Sequence, residues 1–310
     1  MLATPVAARR ALITLGATYI IGSFLLLDLV GGVGYTLIVA VSGAAVALLA
    51  LAVARRGALD VAWLRLRVDL ADIVAVAILY VVVVAGFRLA FTVFATDTLA
   101  LVIAFWAALL IGVIGPIYYT VWLRRRPLAS LGLTRGKWRT TLILALLLGA
   151  VQFTITLARV DHPAAEIWLP LLAMALVVGF FEAIFFRGFI QNRLEAWFGA
   201  VPAVAVAASL YGLYHVGYGM GTDEMIFLIG LGVLYAVAFR LAGSILVLWP
   251  LLTPLGSFFS QLQAADLVLP LESILGFADV LAAMLAAVWL AHRHERPQPA
   301  ALEAPVSGVG

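Results

Sequence analysis

The sequence predicts an all-α fold, a polytopic transmembrane bundle of about ten spanning helices. Three observations carry this. Hydrophobic residues fill 65% of the 310 positions and charged residues only 11%. Mean hydropathy is +1.15. The apolar residues fall in runs of roughly 20, which at ~1.5 Å per residue cross a hydrocarbon core ~30 Å thick. A water-soluble chain of this size would expose contiguous apolar patches and aggregate, which excludes soluble and coiled-coil architectures.

The first run, ALITLGATYIIGSFLLLDLVG after Arg9 and Arg10, is longer than the apolar core of a signal peptide. No A-x-A cleavage site follows it, so it reads as a retained first span over 11–31. Further spans are expected at 34–53, 73–95, 99–123, 140–159, 168–191, 201–217, 225–241, 244–262 and 271–291. Residues 57–71 alternate apolar and charged positions and suit a short helix in the membrane interface. The chain so divides into a four-helix region 1–123, a basic connection 124–139 and a second helical region 140–291. A Pro- and Ala-rich tail, 292–310, is expected to be disordered.

The net charge of +3 comes largely from loop arginines. Arg9, Arg10, Arg55, Arg56, Arg124 to Arg126, Arg135, Lys137, Arg139, Arg193, Arg240, Arg293 and Arg296 fall on one side of this topology. The opposite loops, 96–98, 160–167, 218–224 and 263–270, hold no Lys or Arg. The positive-inside rule then places both termini in the cytoplasm of a cell-membrane protein. No basic stripe with interleaved aromatics exists, so nucleic acid is excluded as a partner. Cysteine is absent, which removes disulfide, thiol-nucleophile and thiolate-metal chemistry.

Charge inside the membrane points to a site. Glu182 lies well inside the run beginning at 168, ~21 Å along it. A charge at that depth costs about 2.5–3.5 kcal/mol and needs a partner or a wet cavity. Arg187 follows five residues later, ~140° away around an α-helix, so at least one of the two should find its partner on another helix. The next run offers Tyr211 and His215, four apart and on one face. His215 is the lone histidine of the embedded part; the others are His162, His292 and His294. In GSILVLWPLLTPLGSFFSQ, Pro250, Pro254 and Gly256 predict a broken helix, tolerated where it lines a cavity. Thr253 and Ser257 sit four apart on it. Asp28, Arg88, Asp223 and Glu224 read as structural, the last two as helix-capping acids.

These pieces resemble, in order and spacing, the CAAX-protease and bacteriocin-processing (CPBP, or Abi) family of intramembrane endopeptidases. That family carries a Glu-Glu pair, three further residues and an Arg, then an aromatic with a His four residues on. A His with an Asn or Asp four residues on completes the set. Glu182, Arg187 and Gly188 match the first motif, Tyr211 and His215 the second, and LGLTRGKW at 131–138 resembles the lead-in. The resemblance covers roughly 127–290. It departs at Ala183, where the second glutamate is expected, and at Thr253 and Ser257, which replace the third motif's His and Asn.

The resemblance implies that Glu182 activates water, with His215 stabilising the oxyanion or helping Glu182 bind a divalent metal such as zinc. That ligand set is incomplete, since a stable zinc site takes at least three protein ligands. Arg187 is left to position a peptide carboxylate or order the site, with Tyr211, Thr253 and Ser257 in support. Three readings follow. The chain is a membrane-embedded peptidase acting on a peptide or membrane protein, a degenerate member that binds without cutting, or a small proton-coupled transporter with Glu182 as relay.

Overall fold

The structure, a computed structural model, describes residues 41, 43–45, 66–93, 97–134, 138–157, 164–264 and 268–295. The first expected span, most of the second, Asp28 and residues 57–65 of the interfacial stretch 57–71 lie outside the described residues. In chain order the principal helices are α1 (Leu70–Val93), α2 (Leu99–Leu123), α3 (Trp138–Leu157) and α4 (Glu166–Phe198). They are followed by α5 (Ala200–Tyr218), α6 (Thr222–Ala242), α7 (Leu252–Ala264) and α8 (Ser273–His294). Every regular element among the described residues is helical. Six of these, α1, α2, α4, α5, α6 and α8, are long and apolar enough to cross a bilayer. The protein is a polytopic helical bundle.

Two expectations are corrected. The stretch 244–262 is not one spanning helix: a 3-10 turn at Ile245–Val247 leads through further turns into α7. The break falls where the prolines predict it. Pro254 sits in the first turn of α7, where a helix has no use for a backbone donor. The indole of Trp249 donates to the Leu176 carbonyl at 2.9 Å and moors the broken segment to α4. The tail is also ordered further than expected. α8 continues through His294, and the Leu128 amide donates to the Glu295 carboxylate.

α4 is the central helix and the most buried of the spans, whereas α8 and α1 are among the least. Its winding changes midway. Ala165–Glu182 is α-helical, Ala183–Gln191 is π-helical and Asn192–Phe198 returns to α. All nine π residues are buried. Under this stretch runs the 3-10 turn Leu128–Leu131, so close that a Cβ on Gly188 would lie 2.2 Å from the Leu131 carbonyl oxygen. Gly132 ends that turn at φ +72°, a conformation only glycine adopts without cost, and its carbonyl accepts from Ile245 at 3.1 Å.

At one end of the bundle, arginines expected simply to flank the spans are tied into ion pairs. Asp72, fully buried in the first turn of α1, receives Arg126 at 2.7 Å and 2.9 Å through its two Nη atoms. Arg124 reaches it at 3.1 Å, and the Tyr119 hydroxyl donates at 3.2 Å. Arg193, also fully buried, lies 3.7 Å away and donates to Thr120 Oγ1 at 2.7 Å. Nearby, Arg240 pairs with Glu195 at 2.6 Å. These contacts bring the start of α1 and the ends of α2, α4 and α6 to the same end, as the alternation of loop charge predicts.

Candidate active site

Glu182 is the last residue of the first α-helical stretch of α4 and is 5% exposed. It faces the bundle, not lipid. Two hydroxyls from α5 hold its carboxylate: Tyr211 donates to Oε2 at 3.2 Å and Tyr214 donates to Oε1. Local winding explains the pair. α5 is α-helical to Leu213 and tightens to a 3-10 segment over Tyr214–Tyr218. Tyr211 lies in the α-helical part and Tyr214 opens the 3-10 segment; residues three apart share a face of an α-helix, and the two rings lie 5.8 Å apart. Arg88 and Tyr80 of α1 brace this end, donating to the carbonyls of Val216 at 3.3 Å and Leu210 at 3.0 Å.

Arg187 lies within the π stretch, and that alters its relation to Glu182. A π-helix bonds residue i to i+5, so residues five apart stack instead of standing ~140° apart. Both side chains reach the same partner, with Arg187 Cζ 5.0 Å from the Tyr211 ring centre, in cation–π contact. The expectation that they diverge is therefore corrected. Arg187 is 2% exposed, and neither Nη atom has a hydrogen-bond partner among the described residues. Ala183, where a carboxylate would answer it, is fully buried.

His215 packs its ring 4.0 Å from that of Tyr214 and 5.4 Å from that of Tyr211. Its Nδ1 sits 2.9 Å from the Tyr211 carbonyl oxygen. A carbonyl only accepts, so Nδ1 carries the hydrogen, and in the neutral form of the ring Nε2 is left as an acceptor. That argues against the oxyanion-donor role the resemblance implies for this residue.

The third motif stands apart. Thr253 Oγ1 lies 3.4 Å from the carbonyls of both Gly179 and Leu248, where it satisfies backbone behind Glu182. Ser257 is half-buried one turn on, and no hydrogen bond joins it to Glu182 or His215 among the described residues. Glu224 accepts from the Gly221 amide at 2.9 Å, the capping role expected of it. The donor set does not fit a resident zinc ion. No three His, Cys, Asp or Glu side chains cluster to hold a metal among the described residues.

Tyr214 is the site residue the sequence reading missed. Its signal was there in Y-x-x-Y-H, with two hydroxyls three apart before the histidine.

Fold and site together define a membrane-embedded helical protein with a carboxylate, an arginine and a histidine gathered on one pair of tyrosines. Residues 164–251 match the family described as type II CAAX prenyl endopeptidase Rce1-like, the family its motifs resemble. The matched stretch holds Glu182, Arg187, Tyr211 and His215 and ends short of Thr253 and Ser257. No curated protein and no solved structure matches the chain.

Proposed function

We propose that the chain is an intramembrane endopeptidase of the CAAX-processing type, with Glu182 activating the attacking water. One observation carries this reading: a buried glutamate gripped by two tyrosine hydroxyls, with His215 and Arg187 packed on those same rings. Each carboxylate oxygen keeps a second acceptor position, and a water bound there loses a proton to Glu182 as its oxygen attacks the peptide carbonyl carbon. The C–N bond then breaks and Glu182 returns the proton to the departing amine. Nε2 of His215 accepts a hydrogen bond from the water's second O–H and orients it. Arg187, whose charged Nη donors lack hydrogen-bond partners among the described residues, stabilises the oxyanion. No step is routed through a metal.

The substrate is a peptide or membrane-protein segment reached from the bilayer. We place the basic end of the bundle on the cytoplasmic side of the cell membrane, on the charge asymmetry of the loops. The test is cleavage of a membrane-peptide library by purified protein, with Glu182→Gln as the paired variant. A defined product should appear and fall by at least ~100-fold in the variant, the scale on which general-base catalysis acts. Absence of product from both folded proteins would favour a non-cutting, peptide-binding role. Ala183 and Thr253, standing where the family has Glu and His, are the departures that support that second reading.

A further inference from the structure

At the basic end of the bundle a cavity of about 460 Å³ opens between the residues entering α1 and those leaving α2. Its polar lining is Arg67, Asp69, Arg124, Arg126 and Ser130. Asp69 answers Arg124, while Asp72, buried beneath, is shared among Arg124, Arg126 and Arg193. Four arginines thus face two aspartates. Arg67 is exposed and its guanidinium makes no ion pair among the described residues. Ser130 is 5% exposed, and its hydroxyl has no hydrogen-bond partner among the described residues. Surplus positive charge, an uncommitted guanidinium and a buried orphan hydroxyl are what an oxyanion such as phosphate requires.

The position of the cavity narrows the ligand. Leu70 and Leu123, each adjoining a lining residue, are 66% and 58% exposed and belong to spans whose outer faces meet lipid. A phosphate seated on the arginines would stand at the headgroup level, with an apolar surface running away from it into the bilayer. We propose that this cavity binds the phosphate headgroup of an anionic phospholipid, its acyl chains lying along Leu70 and Leu123. Basic pockets at the ends of spanning helices suit such headgroups. The site is separate from Glu182 and does not depend on the proposed peptidase activity.

The test uses the full chain in nanodiscs of phosphatidylcholine containing a minor fraction of phosphatidylglycerol, with retained lipid counted by native mass spectrometry. Phosphatidylglycerol should be retained in preference, and Arg67→Gln should lower that preference about fivefold, the effect of one arginine near an anionic surface. Circular dichroism checks that the variant keeps its helix content. Equal retention of the two lipids by the unmodified protein, or an unchanged preference in the folded variant, would overturn the proposal. A second arm compares thermal stabilisation of the delipidated protein by short-chain phosphatidylglycerol and by inorganic phosphate. Stabilisation by the lipid alone supports a headgroup site; equal stabilisation by inorganic phosphate overturns it in favour of a soluble anion.

Discussion

Tyr214 fixes the position of the buried Glu182 carboxyl by donating a hydrogen bond to Oε1. Replacing it with Phe keeps the ring among Phe181, Phe186 and His215 but strips one oxygen of its donor. Tyr214→Phe should cost about 1.5–3 kcal/mol of stability in detergent unfolding, the range for a hydrogen bond to a charged group. Tyr211→Phe, losing a bond at 3.2 Å, should cost less. A chelator should leave peptide cleavage unchanged, because Glu182 and His215 alone make too few ligands for a stable zinc site. At this scale the sequence named Glu182, Arg187, Tyr211 and His215 as candidates but not the tautomer of the histidine. Its tautomer follows from a backbone carbonyl one turn earlier, which no side-chain pattern encodes.

Between residue and bundle, winding decides what the spacing means. The five-residue interval from Glu182 to Arg187 reads as a divergence on an α-helix and as an alignment on a π-helix, and composition does not distinguish the two. The break before α7, by contrast, was written in Pro250 and Pro254. Gly188 was legible only as part of a motif; its physical reason is the carbonyl of Leu131, brought beneath it from a turn 57 positions earlier in the chain. That carbonyl is backbone and cannot swing aside as a flexible side chain would. Gly188→Ala should therefore destabilise the protein by about 1–3 kcal/mol or more, as overpacking does. The loss should be visible as a lower midpoint in thermal unfolding.

Over the whole molecule, the buried cluster around Asp72 fastens α1, α2 and α4 at one end. Removing one partner from a buried ion pair leaves the others uncompensated. Asp72→Asn should cost about 3–5 kcal/mol, measured by denaturant unfolding in detergent. The same substitution should not be rescued by salt, because Asp72 and Arg193 are shielded from it. The sequence disclosed the bundle and the common end of these charges, since hydropathy and loop charge are local signals. It did not disclose the cluster. Asp72 and Arg193 meet across three helices, and each alone looks like an ordinary residue near a span's boundary.

The π winding of α4 has a bearing on how this chain tolerates changes in length. On a π-helix, Glu182 and Arg187 are aligned with four residues between them; on an α-helix, the same alignment needs three, since positions i and i+4 differ by only ~40°. Loss of a single residue between them, with reversion to α winding, would keep both groups turned toward Tyr211. Enforcing α winding at full length would instead swing one of them away. Around this site, a shortened helix is a milder insult than a regularised one.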